Sequence, residues 1–221
     1  MENRKHTSLK DLAQALGVSI PTVSRALKDS PEISRELCTK AKALAKEMNY
    51  RPNPFAMSLR KNAPRIIGVI VPDIVTHFFA SILNGIENMA IANGYFVIIT
   101  TSHESYEHEK RNIENLVNMR VEGIIACLSQ ETTDFSHISA LKDINMPLIL
   151  FDRVCLTDQF SSVIADGAQS AQMATQHLLD NGSERVAFIG GANHLDIVKR
   201  RKHGYLEALR ENRIPIEKEL V

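Results

Sequence analysis

The chain has 221 residues, enough for one small and one larger domain, with 44% hydrophobic and 24% charged residues and no tryptophan. Its formal net charge is zero, but residues 1–65 hold 13 Lys+Arg against 6 Asp+Glu (+7) and residues 66–221 hold 13 against 20 (−7). A basic head suited to a polyanion is therefore fused to an acidic body, and its longest apolar runs, Ile66–Pro72 and Tyr95–Ile99, are far too short for a membrane-spanning helix.

In the head, Leu9, Leu12, Ala13 and Leu16 recur at helical spacing behind Ser8, with Asp11 three residues on, which is an N-terminal capping signature. Gly17 ends that helix at a sharp turn. Ser19 caps a second helix that tolerates Pro21 in its first turn; Val23, Ala26 and Leu27 form its buried face, and Thr22, Ser24 and Arg25 fall on other faces. Two short helices around a tight glycine turn predict a helix-turn-helix, whose second helix can enter the DNA major groove. A third helix is predicted from about Ser34 to Asn49, with an apolar stripe of Leu37, Ala41, Leu44, Ala45 and Met48. Asn53-Pro54 then opens a helix of about two turns, too short to be stable unless something holds it.

Thr7–Leu27, the Asn49-Tyr-Arg-Pro-Asn53 run and Ala56-Met-Ser-Leu59 together resemble the lactose-repressor (LacI/GalR) family of bacterial transcription regulators. That resemblance implies that Ile20, Pro21 and Arg25 form the base-reading face, where Arg25 can donate two hydrogen bonds to a guanine edge. It places Ser8, Ser19, Thr22 and Ser34 on phosphates, and Ala56 and Leu59 in a minor-groove hinge where Leu59 wedges between base pairs. Ile20-Pro21 departs from the polar pair that many relatives carry, and can touch a thymine methyl but cannot make a bidentate bond.

From Arg65 the pattern alternates. Strand-like runs Ile66–Pro72, Tyr95–Thr100, Gly123–Leu128, Pro147–Phe151, Ser162–Ala165 and Arg185–Gly190 are interleaved with helical patterns. Those patterns run through Ile82, Ile86, Met89 and Ala90, closed by Asn93-Gly94, and over Glu107–Met119, Ile138–Lys142, Ala168–Asp180 and Lys199–Arg210. Such alternation predicts a parallel sheet covered on both faces, with ligands at the C-terminal strand ends. Asp73, Phe78-Phe79, Asp152-Arg153, Asp166 and the stretch from Gly190-Gly191 to Arg201 are the residues so placed.

Asn93-Gly-Tyr95, Val121–Ile125, Phe151-Asp-Arg153, Ile189-Gly-Gly191 and Arg201–Tyr205 resemble the two-lobed effector domain of the same family. By that resemblance Phe78 and Phe79 line a cleft, and Asp152 and Arg201 bind ligand hydroxyls or a carboxylate. Plain core remains open for the two phenylalanines, a helix-start cation for Arg201, and a helix cap for Asp166. The residues flanking Leu195 and Ile197 form no clear polar set, which favours a sugar or sugar derivative over a purine.

No G-x-x-x-x-G-K-[ST] loop is present, and no G-x-G-x-x-G follows a strand. His108 falls one residue late for a zinc-protease motif with His103-Glu104. Neither an enzyme nor a metal or cofactor site is expected. Cys38, Cys127 and Cys155 are widely spaced and fit buried inert thiols. With no apolar secretory region near the N-terminus, they point to the cytoplasm.

The expected fold is thus α plus α/β: a three-helix helix-turn-helix domain over 1–52, a hinge helix and linker over 53–64, and a periplasmic-binding-protein-like domain over 65–221. In that body the first lobe spans 65–160 and a partial second lobe 161–221. Relatives continue past the point matching Val221, so the chain reads as a fragment or truncated product, with uncovered sheet edges that favour aggregation and poor effector binding. The expected function is a repressor-type, sequence-specific transcription regulator. It would bind pseudo-palindromic operator DNA as a homodimer under the control of a carbohydrate effector, with no membrane role. The alternative is a sugar-binding protein of the same fold without a DNA role.

Overall fold

The computed structural model describes residues 7–50 and 65–221. The chain divides into two compact units, 1–62 and 63–221, each described by itself.

In the head, α1 (Leu9–Leu16), α2 (Ile20–Ala26) and α3 (Arg35–Glu47) each start at a serine cap. Ser8 Oγ accepts the Asp11 amide, and the Asp11 carboxylate takes the Ser8 amide at 2.8 Å, closing a capping box. Ser19 Oγ accepts from the Thr22 amide and Ser34 Oγ from the Leu37 amide, both at 3.3 Å. Gly17, at φ 66°, supplies the left-handed turn between α1 and α2 that a side chain would strain. Leu12, Val23, Ala26 and Ala41 are fully buried at the centre. A cap contributes about 1 kcal/mol and a buried Leu or Val about 2, so this small apolar centre outweighs the caps in holding the helices together.

One head residue departs from the sequence pattern. Ser24, expected off the buried face, is buried, because α2 packs against both α1 and α3 and little of its circumference stays open. The hinge expected over 53–64, with Ala56 and Leu59, lies outside the described residues.

The body is a five-stranded, all-parallel sheet: β1 (Ile66–Val71), β2 (Phe96–Thr101), β3 (Gly123–Ala126), β4 (Leu148–Phe151) and β5 (Ser161–Val163), in the order β2-β1-β3-β4-β5. Val69 pairs with Ile99 on one side and Ile125 on the other. Between the strands run α4 (His77–Ala92), α5 (Tyr106–Asn118) and α6 (Ser136–Asp143). On one sheet face Ile66, Ile70, Ile124 and Leu150 pack with Ile113 and Leu116 of α5 and Ile138 and Leu141 of α6. On the other, Val69, Val71 and Phe151 meet Phe79 and Leu83 of α4. Farther out on the sheet, Ile149 of β4 and Val163 of β5 are exposed. The strand expected at Ser162–Ala165 is β5, an edge strand of this same sheet.

Two expectations for the body fail. Arg185–Gly190 forms no strand: its Phe188 amide bonds to the Leu220 carbonyl at 2.8 Å, Val186 packs on Tyr205 and Leu209, and Ile189 is 97% exposed. Among the described residues no backbone ladder lies alongside it, and apolar content alone does not make a strand. Met89, read as part of the apolar stripe of α4, is exposed while Ala90 beside it is buried.

The last two long helices, α7 (Gly167–Asp180) and α8 (Asp196–Glu211), pack tightly together. Gly204 makes this possible, since a Cβ there would lie 1.9 Å from the Ala168 carbonyl oxygen. Backbone cannot yield as a side-chain tip can, so Gly204→Ala forces α7 and α8 apart. The expected cost is about 3 kcal/mol, measured as a lower urea midpoint than that of a control Ala at exposed Gly85, where nothing lies within 4 Å of an added Cβ.

Candidate nucleic-acid interface and effector cleft

The proline and the arginine of the expected base-reading set lie four residues apart on α2 and project together. Ile20 is 44% exposed, and Pro21 and Arg25 are exposed as well. Of the expected phosphate-holding set, Ser8, Ser19 and Ser34 are exposed and Thr22 is half-buried; the three serines are caps in the free head. Their hydroxyls sit at the N-termini of three helices, a setting that favours phosphate oxygens. Sequence reasoning passed over Glu32, which accepts a 2.8 Å hydrogen bond from Arg25 Nη1.

In the body, a parallel sheet sends every strand toward the same end, so the segments following β1, β2, β3 and β4 gather there. Asp73 follows β1 and accepts the Val75 and Thr76 amides, both at 2.9 Å; the Thr76 amide above all holds its carboxyl below the usual range. His103 and Glu104 follow β2 with consecutive positive φ, 52° and 60°, and Asp152 follows β4 at φ 57°. Glu104 makes a fork-to-fork pair with Arg153: Nη1 to Oε2 at 2.5 Å and Nη2 to Oε1 at 2.9 Å. It also accepts the Gln130 amide at 2.7 Å, which ties the segments after β2, β3 and β4 into one cluster.

Behind that cluster lies a buried polar hub. Glu109 of α5 is almost fully buried; it accepts the Ser129 amide at 2.5 Å and Thr132 Oγ1 at 3.0 Å, and lies 2.8 Å from His137 Nε2. Ser129 Oγ donates to buried Ser102 Oγ at 2.7 Å. His137 Nδ1 is buried with no hydrogen-bond partner among the described residues, beside the Tyr106 ring at 5.1 Å. Nothing in the helical pattern of α5 marked Glu109 as inward; only its spacing of four from Ile113 could have done so.

The four effector residues expected from sequence divide. Phe79 is 6% exposed and stacks edge-on to Phe151 at 6.4 Å, so it belongs to the core; Phe78 is half-exposed and touches Phe79 at 5.1 Å. Asp152 is half-buried, and burial pushes its carboxyl above the usual range, opposed by the charges of Arg153 and Arg201. Arg201 is exposed rather than buried, yet near enough to act on Asp152. Asp166 caps α7, accepting the Gln169 amide at 3.0 Å. A cavity of about 280 Å³ opens beside Arg153, lined also by Thr132, Phe135, Leu156, His194 and Lys199.

A helix-turn-helix head on a parallel α/β body with its polar groups gathered at the strand ends defines a class: a DNA-binding-type module joined to a binding-protein-like domain. Residues 8–53 match the family described as bacterial regulatory proteins, lacI family, and residues 65–221 match periplasmic binding proteins and the sugar binding domain of the LacI family. The chain belongs to the LacI family.

It is similar to catabolite control protein A of Priestia megaterium, 32% identical over 216 residues that cover 96% of this chain and 63% of that protein. Among solved structures it is similar to the lac repressor dimer bound to operator and the anti-inducer ONPF, with a TM-score of 0.74 and 26% identity, covering 96% of this chain and 64% of that one. It is also similar to the Cra transcriptional dual regulator of Pseudomonas putida in complex with fructose 1-phosphate, with a TM-score of 0.62 and 27% identity, covering 66% and 54%. The chain spans less than two thirds of the length of these relatives.

The environment of Asp152 has a pH signature. A carboxyl whose folded pKa lies above its unfolded value of about 3.9 holds a proton that the unfolded chain releases, so its unfavourable effect is absent at low pH and appears as pH rises through the folded value. Asp152→Asn is expected to raise the melting temperature at pH 7 by about 2 °C or less, with the gain vanishing near pH 3. An unchanged difference between the two pH values overturns this account of Asp152.

Proposed function

We propose that the protein is a ligand-responsive, sequence-specific DNA-binding regulator of repressor type, acting as a homodimer in the cytoplasm. The observation that carries this reading is the exposed Ile20-Pro21…Arg25 face on a serine-capped helix of a +7 head. Arg25 reads a guanine edge, Ile20 and Pro21 offer apolar contact to a thymine methyl, and Ser8, Ser19, Thr22 and Ser34 hold phosphates that set register. Paired hinges carrying Ala56 and Leu59 insert at the centre of a pseudo-palindrome. The names of the relatives, which are transcription regulators and repressors, support the same reading.

The effector is a sugar or sugar derivative held at the strand ends, with Asp152 and Arg201 on its hydroxyls and Phe78 at the rim. The fructose 1-phosphate in the related Cra structure supports a carbohydrate ligand. For such a ligand to switch DNA binding, it must favour one arrangement of the body over another, because equal affinity for both shifts nothing.

The test is a gel shift on pseudo-palindromic duplexes selected from a random library by the unaltered chain. Arg25→Ala is expected to weaken binding by about tenfold to a hundredfold and to erase preference at one base per half-site. Leu59→Ala should weaken binding without altering that base. Affinity for every duplex should fall steeply with salt. If both variants bind as tightly as the unaltered chain, this reading is wrong.

A further inference from the structure

Arg25 is already engaged in the free head. Its Nη1 donates to Glu32 Oε2 at 2.8 Å, with side chains 54% and 66% exposed. Glu32 comes from the segment between α2 and α3, and that segment is folded back on α2 by named bonds. The Ser30 amide bonds to the Arg25 carbonyl at 3.1 Å, and the Ile33 amide to the Ser30 carbonyl at 3.0 Å. Asp29 takes a left-handed conformation (φ 54°), and Lys42 of α3 grips its carboxylate at 2.5 Å. The other paired carboxylates of the head act elsewhere: Asp11 closes the box on α1, Asp29 meets Lys42 and Glu36 meets Lys40. Among the described acidic residues of the head, Glu32 is the one seen paired to the base-reading face.

A guanidinium has five donors in a rigid plane. With Nη1 held by a carboxylate, the edge formed by Nε and Nη2 still presents two parallel N–H groups, the pair that matches guanine O6 and N7. The ion pair therefore leaves guanine recognition open and fixes the plane of the fork. It is unfavourable toward phosphate: Glu32 competes with backbone oxygens for Arg25 and adds a negative charge where a second negative charge must approach. Contacts to phosphate carry no sequence information, so weakening them while sparing the guanine contact raises discrimination.

We propose that Glu32 is a specificity-determining residue. It holds Arg25 in the guanine-reading plane and withholds it from phosphates, lowering affinity for unrelated DNA more than for the operator. The proposal rests on the DNA-binding reading given above. An exposed ion pair limits the effect to about fivefold or less.

The test uses the full chain. The base preference of the unaltered protein is first read by selection from a random pseudo-palindromic library. Dissociation constants are then measured by fluorescence anisotropy, at one salt concentration, on the selected duplex and on a scrambled duplex of equal length. Glu32→Gln is expected to bind the scrambled duplex about three- to fivefold tighter and the selected duplex within twofold of the unaltered chain. Selection with this variant should also show a weaker guanine preference at the position that Arg25→Ala erases.

In an Arg25→Ala background, Glu32→Gln should no longer change the ratio of the two affinities, because the effect runs through Arg25. The proposal is overturned by an unchanged ratio in Glu32→Gln. It is equally overturned by the same change with and without Arg25, which would make Glu32 a distant charge only. If the unaltered chain enriches no duplex, the DNA-binding reading fails first and takes this proposal with it; an enriched duplex with an unchanged ratio sinks the Glu32 role alone.

Discussion

The body depends on a single strand that is buried from both sides. β1 is flanked by β2 and β3 and covered by α4 on one face and α5 on the other. A side chain at Gly68 would require Leu116 to shift, because a Cβ there would lie 2.6 Å from Leu116 Cδ1. Each long helical crossover returns the chain to a strand running parallel to the one before, and each parallel strand delivers its following loop to the same end. The meeting of Asp73, Glu104, Gln130 and Asp152-Arg153 at one rim follows from that constraint, although these residues are spread over some eighty positions of sequence.

Polar groups at this rim are satisfied by one another. Glu104 and Arg153 neutralise each other in a bidentate pair, and the Gln130 amide completes the carboxylate. Beneath them Glu109 would be costly as an isolated buried carboxylate, but two hydroxyl or amide donors and His137 surround it. This hub reaches the rim through the segment from Ser129 to Thr132, so the outer and inner polar layers share one loop. The head uses the opposite arrangement: its core clusters are apolar, with buried Ser24 beside them, and its charges stand on the surface where a polyanion can meet them.

Much of this was legible in the residues. Serine caps, the turn at Gly17 and the alternation of apolar runs with amphipathic helices are local signals, and within the described residues each element they marked is present except at Arg185–Gly190. Local signals fail where a partner decides the outcome. Arg185–Gly190 has strand composition without a neighbour to pair with. Ser24 is buried because α2 has two packing partners. Phe79 reads equally well as cleft or core until Phe151 is seen against it. Arg201, whose isolated burial would be unfavourable, solves that problem by staying in water.

By itself, then, the order of residues determined the division into a basic head and an acidic body, the helix-turn-helix and the parallel α/β class, while the family rested on the likeness of its motifs. The first three follow from charge, capping and periodicity, which act over a few residues or over composition. Only the tertiary structure decided that Glu32 holds Arg25, that Glu104 holds Arg153, and that Glu109 is an interior hub. Such pairings join positions 7, 49 and 20 to 28 residues apart. Hydrogen bonds of that kind depend on where packing brings two side chains, and no local pattern in the chain records it.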